Sequence, residues 1–172
     1  MLELLKTRRS IRKFQDRPIE QEKLDEILKS MLLAPSSRSR RPWEFILVRD
    51  KDTLKDLSLC RQGSSSFLAG APSAIVIIAD KEACDVWIED CSIAAIIGQL
   101  TAHSIGLGSC WIQVRERMKD ENKSTETYIK EKLNIPDRYA VECIIALGYP
   151  GEEKKGHEEK DLSYNKIHID KY

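Results

Sequence analysis

Residues 91–114 read CSIAAIIGQLTAHSIGLGSCWIQV, from Cys91 to Val114, with no Asp, Glu, Lys or Arg among them. A stretch of that length could span a bilayer, so its reading decides between a membrane protein and a globular one. Ser92, Gln99, Thr101, His103, Ser104, Ser109 and Gln113 are spread along it, and Gly106-Leu107-Gly108 interrupts it. Polar groups at those intervals and a glycine break fit a helix buried in a protein core, followed by a buried strand. The pattern predicts a helix over about 83–104, apolar almost all round, and a strand over 109–114.

Outward from this centre the elements alternate. Leu24, Ile27, Leu28, Met31 and Leu32 mark one face of a helix over 20–33, which Pro35 ends. Residues 44–48 (EFILV) suit a strand, and 52–61 a helix with Leu54 and Leu57 inward. Residues 74–79 (AIVIIA) are continuous enough for a strand buried on both faces. After the central pair come an amphipathic helix over 124–133 and a strand over 139–147, closed by Gly148-Tyr149-Pro150-Gly151. The tail from Glu152 is polar and ends in Lys166-Ile167-His168-Ile169. That short strand is too small to stand alone and suits addition to another sheet edge, that of a partner subunit. The expectation is one α+β domain over residues 1–172, with about four core strands and five or so helices.

Composition narrows the function classes. Lys plus Arg and Asp plus Glu balance at 28 each, which removes a global electrostatic case for nucleic acid or anionic membrane. Cys60, Cys84, Cys91, Cys110 and Cys143 are odd in number and contain no C-x-x-C pair, as expected of buried thiols in a reducing compartment. His103, His157 and His168 lack metal-ligand spacing, so no metal site is expected. The N-terminus runs straight into basic residues, which argues against a secretory signal and for a cytoplasmic location.

Two runs could carry chemistry. Arg8-Arg9-Ser10-Ile11-Arg12-Lys13-Phe14 packs four cations and a hydroxyl between two apolar anchors. Arginine forks match phosphate oxygens in bidentate fashion, and Ser10 adds a donor. Charge alone equally allows a solvated basic N-terminus, and less readily a nucleic-acid patch, since no aromatic stacking platform accompanies it. The second run is Ala34-Pro35-Ser36-Ser37-Arg38-Ser39-Arg40-Arg41-Pro42-Trp43-Glu44-Phe45, a donor-rich loop between helix and strand. Alone, it is equally a structured turn with Trp43 in the core. Gly106-x-Gly108 lacks the third glycine of a dinucleotide fingerprint and follows a helix, and no P-loop or nucleophile elbow occurs. Cys110, beside Trp111 and Leu107, reads as a buried thiol.

The two runs in this order, then Ile105-Gly106-Leu107-Gly108-Ser109-Cys110-Trp111-Ile112 and Ile145-Ala146-Leu147-Gly148-Tyr149-Pro150, resemble the nitroreductase family of FMN-dependent enzymes. The matches span nearly the whole chain. The resemblance implies a central, mostly antiparallel sheet of four to five strands flanked by helices, in a homodimer that exchanges C-terminal arms. It implies FMN at the dimer interface. Arg8, Arg9, Ser10 and Arg12 would hold the phosphate and ribityl chain, and Pro35, Ser36, Ser37, Ser39 and Arg41 would arrive from the other subunit. Trp111, Ile112 and Gln113 would line the ring, with backbone N–H groups near Gln113 directed at flavin N5 and O4. Lys160, or another tail cation such as Lys155, would add a phosphate contact.

Two positions depart from the family pattern, which commonly has Asn and Gln where this chain has Ser39 and Arg41. The shorter hydroxyl would lose a ring contact, and Arg41 at the N1–C2 edge would stabilise reduced flavin. The implied activity is electron transfer from NAD(P)H to small electrophilic acceptors, nitroaromatic- or quinone-like, by ping-pong turnover with no catalytic side chain. Dehalogenases and a flavin-cleaving enzyme also belong to the family, and no added recognition segment favours either. A non-catalytic FMN carrier or redox sensor is the alternative. A structural or nucleic-acid-binding α+β domain with an accidental basic run is the remaining rival.

Overall fold

A computed structural model describes all 172 residues. Strands β1 (Trp43–Val48), β2 (Ser73–Asp80), β3 (Gly108–Gln113) and β4 (Tyr139–Gly148) form one sheet in the order β1-β2-β4-β3, with every neighbouring pair antiparallel. Period-two alternation sorts the central strands between two cores. Ile75, Ile77, Cys143, Ile145 and Leu147 face one helical layer, while Ala74, Val76, Ile144 and Ala146 face the other. Both strands are therefore buried on two faces, as the unbroken apolar run of β2 predicts.

Helices α2 (Gln21–Leu32) and α4 (Trp87–Ser104) cover the first face. Leu24, Ile27 and Met31 of α2 are fully buried there, each worth about 1.5–3 kcal/mol of apolar burial. Helices α3 (Lys51–Ser58) and α5 (Thr125–Leu133) cover the second face. Their starts are fixed by caps: Asp50 accepts from the Thr53 N–H, and Ser124 from the Thr127 N–H. Between α4 and β3, Gly106 adopts φ +81°, the left-handed turn that lets the chain reverse.

Four details differ from the sequence reading. Helix α4 begins at Trp87 rather than near residue 83, because residues 81–83 form a turn and Cys84 is buried ahead of the helix. Helix α3 stops at Ser58. A short helix α1 (Leu2–Thr7) precedes the arginine run, too brief to announce itself by periodicity. Residues 166–169 form no strand: a 3-10 turn covers Tyr164–Lys166, and Ile167 and Ile169 are exposed. No sheet edge within the chain accepts that segment. The strand edge beside β3 is instead occupied from the other terminus, where Ser10 bridges Ser109 in parallel and the Ile11 N–H donates to the Ser109 carbonyl at 2.9 Å.

Candidate functional site

The arginine run is held against β3 by its apolar anchors. Ile11 is buried, and its side chain lies where a Cβ on Gly108 would sit, 2.9 Å from that position. Phe14 occupies the same relation to Gly148, at 2.7 Å. The chain just past β4 closes over the run from outside. The Glu152 carboxylate accepts from the Arg12 N–H at 2.6 Å and the Lys13 N–H at 3.2 Å, and those bonds hold its carboxyl below the usual range. The Lys154 ammonium donates to the Ser10 carbonyl at 2.7 Å.

Extended backbone sends alternate side chains to opposite sides. Arg8, Ser10, Arg12 and Lys154 all act on the Cys110 thiol; burial raises its pKa, and these groups, Arg12 first, partly offset that. Arg9 points elsewhere and donates to the Lys155 carbonyl. Arg8, Ser10 and Arg12 of the run and Lys154 of the tail thus lie on the Cys110 side. That donor set fits a phosphate monoester. Lys154, the tail cation beside Ser10, also pairs with Glu152 at 3.4 Å. Lys160 is exposed and pairs with Glu158 at 2.7 Å, and Lys155 pairs with the same carboxylate.

The 35–42 loop is a built structure. Arg38, Ser39 and Arg41 have φ of 51°, 55° and 48°, left-handed values that cost a non-glycine residue of order 1 kcal/mol each. The Ser36 hydroxyl accepts from the Arg41 N–H at 2.9 Å, closing the loop on itself. The Ser37 N–H donates to Asp90 of α4 at 2.9 Å. Pro35, Ser39 and the Arg41 side chain are exposed, and Trp43 is in the core.

On β3, Trp111 Nε1 donates to Gln113 Oε1 at 2.9 Å, and Gln113 Nε2 donates to the Arg115 carbonyl at 3.0 Å. Ile112 points to the opposite face and is buried among α3 and α5 residues, so only its backbone is available to a ligand. Next to this row the β2–β4 register slips, leaving Glu142 without a partner across from Ile77 and Ile78. Its carbonyl accepts from both Val114 and Arg115 N–H groups, which bends the chain as it leaves β3. Its carboxyl is buried, with one oxygen 3.5 Å from the Ser92 hydroxyl and the other unpartnered. Burial raises its pKa.

Within one chain these parts lie at opposite ends of α4. The Ser37 loop is tied to Asp90 in the first turn. The arginine run is tied to His103 near the last turn: Thr7 Oγ1 is 2.9 Å from His103 Nε2, and burial and Arg8 both lower the His103 pKa. Thirteen residues of helix separate them, about 20 Å. The sequence reading did not single out Lys154 or Glu142, which the structure places beside Ser10 and at the β4 bulge. For Glu142 a signal existed, a lone charge inside the apolar run 139–147; for Lys154, one of several tail lysines, there was none.

The nitroreductase family profile matches residues 5–60 and 54–149. An FMN-dependent nitroreductase from Clostridium difficile R20291 is 58% identical, and its structure superposes with a TM-score of 0.99 over the full length of both chains. A nitroreductase family protein from Clostridium novyi NT is 29% identical with a TM-score of 0.78, covering 91% of this chain and 88% of that one. An Archaeoglobus fulgidus protein, provisionally named an NADH dehydrogenase/NAD(P)H nitroreductase, is 38% identical over 99% of this chain and 98% of its own.

Proposed function

Because the chain belongs to the nitroreductase family, we propose that it is an FMN-dependent oxidoreductase carrying electrons from NAD(P)H to small electrophilic acceptors of nitroaromatic or quinone type. The observation that carries this reading is the pinning of the arginine run along β3, where Ser10 bridges Ser109, the Ile11 N–H bonds the Ser109 carbonyl and Lys154 bonds the Ser10 carbonyl, which sets Arg8, Ser10, Arg12 and Lys154 at one edge as donors suited to the FMN phosphate. Held there by Arg8, Ser10, Arg12 and Lys154, FMN would supply two-electron redox chemistry.

The residues of the chain orient and enclose. Trp111 and Gln113 present a hydrogen-bonded row along the expected ring, and the Glu142 bulge turns the peptide groups that follow Gln113. In one chain the α4 anchor of the loop bearing Ser36, Ser37, Ser39 and Arg41 lies about 20 Å along the helix from the anchor of the segment that leads into the arginine run. Two-fold pairing along α4 would set the first turn of one helix beside the last turn of its partner, and so bring that loop to the other chain's cluster. Exposed Ile93 and Ile96 lie midway along α4, where such a homodimer would bury them.

Only residues 114–124 separate β3 from α5, so no long lid covers this end of the sheet. Donor and acceptor would use one open face in turn. Initial rates measured at several fixed acceptor concentrations should therefore give parallel double-reciprocal lines. Intersecting lines would contradict turnover at a shared site, and absence of NAD(P)H oxidation with every acceptor would favour a flavin carrier.

A further inference from the structure

The carboxylate of Asp90 is nearly fully buried, 3% exposed, in the first turn of α4. Each of its oxygens has one partner, and each partner belongs to a different segment. Oδ1 accepts from the Ser37 N–H at 2.9 Å, and Oδ2 faces the buried Cys84 thiol at 3.5 Å. Ser37 opens the loop in which Arg38, Ser39 and Arg41 are all left-handed. Cys84 lies in the segment ahead of α4, and a second link joins the same two stretches, from Arg40 to the Ala83 carbonyl at 2.9 Å.

A loop with three strained residues and exposed side chains needs external fixing to keep one shape. The Ser36 hydroxyl closes it internally, the Pro42 carbonyl just past it accepts from the Asp80 N–H of β2, and residues 36–41 themselves reach outward to Asp90 of α4 and to Ala83 in the turn ahead of it. The Ala83 link comes from a flexible, exposed arginine, whereas the Asp90 link is buried and charge-assisted. An acid in the first turn also meets the positive end of the helix dipole. The carboxylate has no solvent-facing role, since its exposure is so small and both oxygens are engaged.

We propose that Asp90 is the positioning residue of the 36–41 loop, setting where Ser36, Ser39 and Arg41 meet the isoalloxazine ring carried by the other subunit. The inference rests on the flavin reading given above and adds a residue that touches neither phosphate nor ring.

The test compares the full-length wild type with Asp90→Ala and Asp90→Asn. The readouts are FMN affinity by fluorescence quenching and the visible circular dichroism of the bound flavin. Asp90→Ala removes both links and should weaken FMN binding tenfold or more, with a changed visible dichroism spectrum. Asp90→Asn keeps an acceptor of the same shape and should recover part of each; if Asp90→Ala does not fold, the amide variant decides by an intermediate loss. Unchanged affinity and dichroism in the folded variants, with wild type binding FMN, would overturn the proposal. Failure of the wild type to bind FMN would instead sink the reading beneath it.

Discussion

Arg12 and Arg9 stand three positions apart in one basic run, yet the extended backbone sends them to different places. Arg12 acts on the Cys110 cluster while Arg9 reaches the Lys155 carbonyl. A charge-assisted hydrogen bond contributes about 1.5–3 kcal/mol, so Arg12→Ala should weaken FMN binding by roughly 10- to 100-fold. Arg9→Ala should have the smaller effect, and equilibrium titration of the two variants ranks them. Arg41→Gln should make the flavin potential more negative. About 1 kcal/mol, the interaction of two unit charges about 4 Å apart in water, corresponds to roughly 20 mV for a two-electron couple. An unchanged potential would mean that Arg41 faces solvent in the dimer. Glu142 gives a prediction about pH. Its folded pKa is raised, so the native state holds its proton more tightly than the unfolded chain. The contribution of Glu142 to stability is then fully present in acid and is lost as pH rises above the ordinary carboxyl value of 4.5 toward the raised one. Glu142→Gln removes that loss, so the variant's melting temperature relative to wild type should be more favourable at pH 8 than at pH 4.

At the scale of elements, β3 and the segment beside it depend on one missing side chain. A Cβ at position 108 would lie 2.9–3.0 Å from three Ile11 carbons, and Ile11 pins the arginine run. Gly108→Ala should cost about 1–3 kcal/mol by overpacking and also weaken FMN binding, because the displaced segment carries the cations. Thermal melts and FMN titration together check this: lost stability with unaltered FMN affinity would show that the cluster does not depend on the Ile11 anchor. The same elements show how far the sequence could be read. Helix α2 was legible from its 3.6-residue apolar period, and β2 and β4 from unbroken apolar runs that suit burial on two faces. The uncharged run 91–114 divided into α4 and β3 at its glycine break. What escaped was set by contacts distant in sequence. The start of α4 depends on a turn beside buried Cys84, and the tail cation nearest the cluster depends on how residues 151–157 wrap the run. Residues 166–169 form no strand in the single chain, as expected of a segment whose sheet edge would belong to a partner subunit. In the 35–42 loop the donor residues were legible, but their left-handed backbone and the Asp90 anchor were not.

At the scale of the whole molecule, the arginine run and the 35–42 loop are anchored at opposite ends of α4, and the proposed site would take the first from one chain and the second from its partner. Ile93→Glu or Ile96→Glu would place a charge on the face proposed to pair. Each should convert a dimer to a monomer by light scattering and lose FMN in the same preparation, since the loop arrives only with the partner. A monomeric variant that keeps full FMN affinity would show that one chain suffices. No helix of the chain is long and apolar enough to cross a membrane. The central claim is that this chain holds FMN and reduces it with a nicotinamide donor. The most direct test is the visible absorbance spectrum of the purified, FMN-loaded protein before and after anaerobic addition of NADH or NADPH. The account predicts a flavin spectrum that bleaches with at least one donor; protein that takes up no FMN, or bound flavin that neither donor bleaches, would contradict it.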